Sequence, residues 1–573
     1  MKKIVVIGGV AGGMSFATRY RRLNQTDEIT IFEKGPFVSF ANCGLPYYIS
    51  GEIDSRDKLL VAKDTMLMDR FNLIIKQNHE VVKIDPNNKQ VIVKNDGVES
   101  TYPYDKLVIS TGAKPIIPQV KGMDTIPYFT LRNIPDLDYI MNYIHMNNPK
   151  KVAIIGAGFI GLEVAENLKK LGLDVSIIER ANQVLTPLDF EMSQFAKLEL
   201  ENNGIDVYTS KDLLEIRDNK LIFDDLELHA DFIISSIGVV PESGLAVQAG
   251  IEVGMRNGIK VDEYFETSVK DIYAVGDAII VKNFITNEDT LIPLASPANR
   301  QGRQLADILN GLDVKYQGTL GTSIVRLFDQ TFASTGLNEK QLVNKDYEVI
   351  HLLANDHAGY YPGATSINLK VIFDPKTQKI LGAQAVGKKG VDKRIDIIAT
   401  AIKSGLKVTE LQELEFTYAP PFGIAKDIVN LAGYVSQNVI LGLSKTVQWH
   451  QVDALIEEGA FFVDVRNSSE VRSLGKIKGA LNIPIDELRS RLDEIPKDKK
   501  IVLYCQSGTR SYNAEQILRP LGYDCYNLDG SYSIYLRMHR KSIEFNCQKT
   551  FFDSSFGMTF EFPKNKGSIP NNK

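Results

Sequence analysis

The sequence predicts an α/β protein assembled from several parallel-sheet domains, and three observations carry that prediction. Two strand–glycine loop–helix units, opening at Ile4 and Val152, each run on to a further strand that ends in a glutamate. A third strand, residues 501–504, enters a short loop around Cys505 and gives way to another helix. Alternation of strand and helix is the order that builds parallel sheets through helical crossovers. At 573 residues the chain exceeds what one core holds, so several domains are expected.

Composition narrows the class. Hydrophobic residues make up 44% and charged residues 24%, ordinary for a globular protein. A net charge of -5 gives no general reason for nucleic-acid or membrane partners. No apolar run approaches the roughly 18 residues that span a bilayer. The opening MKKIVVIGGVAGG places two lysines before an apolar run, but that run is too short for a secretory signal and reads as a buried strand entering a phosphate loop. Four cysteines without paired spacing cannot form a disulfide scaffold; they imply a reducing, cytoplasmic setting and individually reactive thiols. The seven histidines are scattered, so no metal site is expected.

In the first unit, strand 4–7 leads into Gly8-Gly9-Val10-Ala11-Gly12-Gly13, a helix reaches about Leu23 with Ala11, Met14, Ala17 and Leu23 on its buried face, and strand 29–32 ends at Glu33. This is the Rossmann arrangement: Gly8, Gly12 and Gly13 let backbone approach a pyrophosphate, the helix N-terminus supplies partial positive charge, and Glu33 takes a ribose hydroxyl. Val10 stands where the middle glycine usually does. The second unit is cleaner, with Gly156, Gly158 and Gly161 in its loop, Phe159 and Glu163 on the helix, and Glu179 ending the next strand. Glu179 repels a 2′-phosphate and so favours NADH over NADPH, while Arg180 softens the preference. Two adenine dinucleotides in one chain imply FAD exchanging electrons with a nicotinamide.

With these motifs the chain resembles the FAD-linked pyridine nucleotide-disulfide oxidoreductases over about residues 1–445. The segment 107–113 (LVISTGA, with Thr111 and Gly112) looks like that family's strand returning to the flavin domain. Segment 267–277 (TSVKDIYAVGD) looks like its second FAD motif, which implies that Asp277 binds the ribityl chain. The resemblance also implies a nicotinamide domain inserted within the flavin domain.

Cys43 lies in Ser39-Phe40-Ala41-Asn42-Cys43-Gly44. Glutathione reductase-like members carry a second cysteine five positions on, where this chain has Tyr48, so Cys43 works alone and stores oxidation as a sulfenic acid or a mixed disulfide. An inert buried thiol is the plain alternative. Oxidases and peroxidases of the single-cysteine branch place a histidine where Ala11 stands, and GGVAGG with SFANCGLPYY instead resembles the coenzyme A disulfide and persulfide reductases. Ser15, Arg19 and Arg22 at i, i+4 and i+7 share a helix face, and two guanidinium groups suit a 3′-phospho-ADP moiety; a solvated face explains the spacing equally well. By resemblance these three, with Ser39, Asn42, Asn299 and Lys426, would contact coenzyme A. Tyr361 and Tyr418 would reach from a partner subunit of a homodimer toward Cys43 and donate a hydrogen bond to a leaving thiolate, or they are packing residues.

Beyond about Leu443 the pattern changes. A strand ends in Asp464-Val465-Arg466, GKIKGALNIP follows, and Cys505-Gln506-Ser507-Gly508-Thr509-Arg510 curls at a helix start. Such a loop wraps N–H groups around sulfur, lowers its pKa and stabilises an anionic persulfide, with Gly508 permitting the curve and Arg510 adding a positive edge. The three motifs together resemble the rhodanese domain, which implies Cys505 as a sulfur carrier. Cys525, in an apolar strand, reads as structural. Cys547 lies in a C-terminal tail with no functional assignment beyond partial docking of its first half.

The expected organisation is therefore α/β: an FAD domain (1–112 and 242–320), a nicotinamide domain (113–241), an α+β dimerisation domain (321–445), a rhodanese domain (446–541) and a tail (542–573). Three functions are open: reduction of coenzyme A persulfide or polysulfide with sulfur relayed from Cys505 to Cys43, with coenzyme A held there as a mixed disulfide; reduction of coenzyme A disulfide for thiol balance; or an NADH-responsive sensor or sulfur-delivery protein.

Overall fold

The structure, a computed structural model, describes residues 1–539; Cys547 and the tail lie outside the described residues. The chain folds as two compact units, Met1–Asn338 and a second beginning at Glu339.

The first unit holds two five-stranded parallel sheets. One runs in the order Ile272–Ala274, Lys106–Ile109, Lys3–Ile7, Glu28–Glu33, Ile74–Gln77. The other runs Asp206–Thr209, Asp174–Glu179, Lys151–Ile155, Phe232–Ser235, Tyr128–Phe129. Every strand of the second sheet falls in sequence between Lys106–Ile109 and Ile272–Ala274 of the first, so the second domain is an insertion. The two crossing segments, Ala113–Pro115 and Val239–Pro241, pair antiparallel where the chain leaves and returns. The central strands are apolar along their length because helices cover both faces, as parallel sheets require.

One face assignment needs correction. On helix Ala11–Leu23, Met14 and Ala17 are buried as expected, but Leu23 is 38% exposed. Phe16 and Tyr20 fill the core instead, and Arg21 turns inward to cap two carbonyls, Phe71 O at 2.9 Å and Asn72 O at 3.1 Å. The helix ends at Leu23, so the last residue escapes the face that the repeat assigns to it.

In the second unit, strands Glu348–Asn355, Ser366–Phe373 and Ile380–Gly387 pair antiparallel and are followed by helices Val391–Ser404 and Ile428–Ile440. A parallel sheet then forms in the order Thr446–Val447, Asp524–Leu528, Lys500–Tyr504, Phe461–Asp464, Leu481–Asn482. Along Lys500–Tyr504 the side chains alternate: Val502 and Tyr504 join one core, Ile501, Leu503 and the following Cys505 the other. The strand thus delivers Cys505 into a closed environment at its C-terminal end.

Candidate functional site

The two glycine loops are built alike. Gly8 and Gly156 have φ of +100° and +104°, and a side chain on either would meet backbone, Ser110 O at 2.2 Å and Ser236 O at 2.5 Å. Gly13 and Gly161 seat each helix on its own loop, since an added Cβ would lie 2.0 Å and 2.2 Å from Gly8 O and Gly156 O. Gly12 is similarly confined by Ser110, whereas Gly158 opens onto free space. Each strand-end glutamate grips its loop: Glu33 accepts from Gly9 N (2.9 Å) and Gly35 N (2.8 Å), Glu179 from Ala157 N and Ala181 N (both 2.8 Å). Neither following helix has a side-chain cap or an acid in its first turn, and Phe159 opens the second. Uncapped N–H groups above a side-chain-free approach fit a dinucleotide pyrophosphate, so both loops suit the groups that the sequence implies.

Cys43 is exposed, in a short turn (Asn42–Gly44) ahead of helix Leu45–Ile49. Ser39, at φ +50°, donates its N–H to Gly9 O (2.8 Å) and so ties this segment to the first glycine loop. Asn42 donates to Arg132 O (2.9 Å), and Arg132 reaches Asp277 (3.2 Å). Gly112 lies beside that guanidinium, with space for a Cβ only 3.1 Å from Nη2, and Thr111 donates to Glu242 O (2.5 Å). Partial desolvation by the protein packed behind the thiol, then the charges of Glu163 and Asp277, push the Cys43 pKa up, with Arg132 opposing. Burial likewise raises Asp277. Glu163 is pushed up to about 7, chiefly by burial, although it accepts a hydrogen bond from Tyr47 (2.9 Å). Ser50 donates to Asn167 (2.6 Å), so the Cys43 helix is fastened twice to helix Phe159–Lys170.

The proposed coenzyme A residues divide. Ser15 and Asn299 meet at 2.5 Å, Arg19 pairs with Asp307 at 2.6 Å, and Arg22, exposed, stacks on Phe71 with 5.0 Å to the ring centre. Lys426, exposed beside the helix cap Asp427, belongs to the second unit. There Tyr361 packs edge-on against His357, while Tyr418 hydrogen-bonds with Tyr360 at 3.1 Å. All three tyrosines are exposed.

Around Cys505 the loop closes tightly. Gly508, at φ +100°, donates its N–H to Sγ at 3.1 Å, and the hydroxyls of Ser511 and Ser531 lie 3.6 Å and 3.9 Å away. Burial alone would raise this thiol, but the Ser511 hydroxyl and the N–H groups of Ser511, Ser507 and Gly508 outweigh it and hold the pKa below the ordinary range. Ser531 also accepts from Cys505 N (2.8 Å), and Tyr532 N donates to Cys505 O (2.9 Å). Asp529, two residues before Ser531, is gripped by strand Glu348–Asn355: it accepts from His351 N (2.9 Å), faces His351 Nδ1 at 2.6 Å and accepts from Gln448 (3.1 Å). Arg510 forms a two-point pair with Glu470 at 2.6 and 2.8 Å. Asp464 and Arg466 are a fully buried pair; Arg466 donates to Gly475 O (2.7 Å) and stacks 3.8 Å from the centre of the Tyr532 ring. Cys525 is buried and its thiol is pushed up to about 12 by burial, in keeping with a structural role.

Sequence reasoning missed Arg132, Tyr47, Tyr360, Ser511, Ser531, Asp529 and Glu470. Ser511 alone left a local signal, being the residue that follows the CQSGTR loop.

Residues 2–302 match the family model described as pyridine nucleotide-disulphide oxidoreductase, residues 322–427 the dimerisation domain of those enzymes, and residues 448–537 the rhodanese-like domain. A coenzyme A disulfide reductase of Staphylococcus haemolyticus is 38% identical over 443 residues, 77% of this chain and all of that protein. The solved structure of reduced Bacillus anthracis CoADR-RHD is 48% identical and superimposes with a TM-score of 0.93, covering 95% of this chain and 99% of that one. An NAD-dependent persulfide reductase from A. fulgidus is 34% identical with a TM-score of 0.88, covering 93% and 100%.

Proposed function

The chain belongs to the pyridine nucleotide-disulphide oxidoreductases and carries a C-terminal rhodanese domain, and from that premise we propose that it reduces coenzyme A persulfide or polysulfide sulfur at Cys43, with Cys505 delivering the sulfur. One observation carries the reading: a single chain holds two cysteines in opposite electrostatic states, a sulfur-stabilising loop at Cys505 and a lone thiol between flavin-type and nicotinamide-type loops at Cys43. The similarity to a persulfide reductase along nearly the whole chain supports it.

Bound nicotinamide and flavin would supply the electron pair. The rest falls to this chain's residues. The Cys505 thiolate takes the sulfane sulfur of a donor and passes it to coenzyme A. The Cys43 thiolate then attacks the inner sulfur of coenzyme A persulfide, expelling hydrosulfide and leaving a Cys43–coenzyme A disulfide. Two electrons split that disulfide into the Cys43 thiolate and free coenzyme A. Glu163, titrating near 7 and held by Tyr47, keeps a proton available beside the sulfur. Ser15, Asn299, Arg19 and Arg22 would hold the coenzyme A nucleotide, and in a homodimer the partner would bring the exposed tyrosine group to the site.

Mixing the enzyme with NADH and coenzyme A persulfide tests this: one sulfide per NADH, lost in Cys43→Ser, is expected. Cys505→Ser should retain turnover with coenzyme A persulfide and lose it with polysulfide; full retention with every donor would sink the relay. Coenzyme A disulfide reduction is the second reading, favoured by the S. haemolyticus relative, whose whole length aligns with only 77% of this chain. Turnover with coenzyme A disulfide but no sulfide from the persulfide would establish it instead.

A further inference from the structure

We infer that Glu470 sets which sulfur donors Cys505 accepts, cancelling the charge of Arg510 so that neutral or singly charged persulfides are used and the thiosulfate dianion is refused. The inference rests on the sulfur-carrier reading of Cys505.

Arg510 is the sole Lys or Arg of the six-residue loop that begins at Cys505, and it influences the sulfur directly. Its two terminal nitrogens are both engaged by Glu470, at 2.6 and 2.8 Å, with each side chain less than a third exposed. Glu470 is itself fixed from behind. It closes the capping box of helix Ser468–Leu474, accepting from Asn467 N at 3.0 Å. Burial would raise its carboxyl, but the Arg510 contact outweighs that and holds it below the ordinary range, so the carboxylate is charged at neutral pH. A two-point guanidinium–carboxylate pair carries no net charge, and it commits two of the guanidinium's five N–H groups to Glu470.

Two other basic side chains of this domain are similarly occupied. Arg466 is paired with Asp464, and Lys476 donates to Ala480 O at 2.8 Å. What holds the Cys505 thiolate is chiefly a set of dipoles, the Ser511 hydroxyl and the N–H groups of Ser507, Gly508 and Ser511, with the paired Arg510 as a lesser contributor. Those donors converge on one sulfur and stabilise one negative charge. A thiosulfate dianion meeting the thiolate would gather three negative charges at a buried sulfur whose loop arginine is already paired with a carboxylate, whereas an alkyl persulfide adds one or none.

The transfer balances without an oxidant. The Cys505 thiolate attacks the outer sulfur of R–S–SH; a Cys505–sulfur bond forms, the bond between the two donor sulfurs breaks, and the electron pair leaves on RS⁻. The proton stays on the transferred sulfur, and sulfur's total oxidation level is unchanged. Thiosulfate would follow the same path with sulfite as the leaving group.

The test uses the full-length flavoprotein without NADH, so that reduction at Cys43 plays no part. Cysteine persulfide, singly charged at neutral pH, and thiosulfate are offered separately, and sulfur on Cys505 is followed by intact mass and by thiocyanate formation from cyanide. The unmodified protein should favour the persulfide by about 100-fold or more in kcat/KM, and Glu470→Gln should narrow that ratio by about tenfold, through KM for thiosulfate. Added salt should erode the gain, because it arises from a partly exposed guanidinium charge. Combining Glu470→Gln with Arg510→Gln should remove it, which separates a freed guanidinium from a loosened loop. Equal use of both donors by the unmodified protein, or an unchanged ratio in Glu470→Gln, overturns the charge inference alone. Failure of both donors to load Cys505 overturns the sulfur-carrier reading beneath it.

Discussion

Cys43 and Cys505 are the same residue placed in opposite fields. Cys505 is completely buried and yet acidic, because loop N–H groups and the Ser511 hydroxyl converge on its sulfur at a helix start. Cys43 is exposed and yet hard to ionise, because desolvation by the protein packed behind its thiol, and then the carboxylates of Glu163 and Asp277, raise its pKa more than Arg132 lowers it. Burial alone is thus a poor guide to thiol reactivity, because dipoles aimed at the sulfur reverse its effect at Cys505. The contrast suits the proposed division of labour. A sulfur carrier must stay a thiolate between turnovers, whereas a cysteine stored as a mixed disulfide needs its anion only at the moment of attack.

The comparison can be broken from the Cys505 side first. Arg466→Met leaves Asp464 charged and unpaired in a dry interior and should cost about 3–5 kcal/mol, read as early urea unfolding of the rhodanese domain while the flavin signal persists. A single transition at the original denaturant midpoint would show that the buried pair does not hold up this domain.

On the Cys43 side, Glu163→Gln removes a carboxyl that the fold pushes from 4.5 to about 7. A raised folded pKa gives stability that is complete below the unfolded value and lost as pH climbs through the folded one. The variant should therefore match the parent below about pH 4 and exceed it by up to about 3 kcal/mol above about pH 8, measured by denaturant melts. The same change should lower the pH midpoint for alkylation of Cys43, and an unmoved midpoint would remove Glu163 from the account of that thiol.

Ser531→Ala strands the Cys505 N–H and should cost about 1–3 kcal/mol, visible in hydrogen exchange at the loop. Ser511→Ala acts more gently on stability, about 1 kcal/mol, but should raise the alkylation midpoint of Cys505 while leaving Cys43 alone. The smallest stability effect belongs to Arg132→Gln. Its ion pair with Asp277 is partly open to solvent and worth about 1 kcal/mol or less, yet its loss should push the Cys43 midpoint further up.

Much of this molecule was legible as a string. Gly8, Gly13, Gly156 and Gly161 announce their loops because only glycine tolerates backbone approaching to about 2 Å of where a side chain would begin, and that demand is local. Cys505 is legible for the same reason: strand, loop and helix follow one another within a few residues. Leu23 shows the limit of periodicity, for a repeat does not reveal where a helix stops and Tyr20 takes over the core. The tyrosines show another. Tyr361 and Tyr418 stand out in the sequence, but that Tyr418 bonds to Tyr360 while Tyr361 packs on His357 depends on contacts across the fold.

The sequence by itself determined the order of domains, the two dinucleotide loops, the solitary state of Cys43 and the loop around Cys505, because each depends on neighbours within one or two elements. Only the tertiary structure decided that Arg510 is spent on Glu470, that Ser15 meets Asn299, that Arg132 stands against Asp277 and that His351 grips Asp529 behind Cys505. These partners lie 40, 284, 145 and 178 positions apart in the chain. Charge and hydrogen bonding act through a few ångströms of space, and no spacing rule reaches that far along the chain.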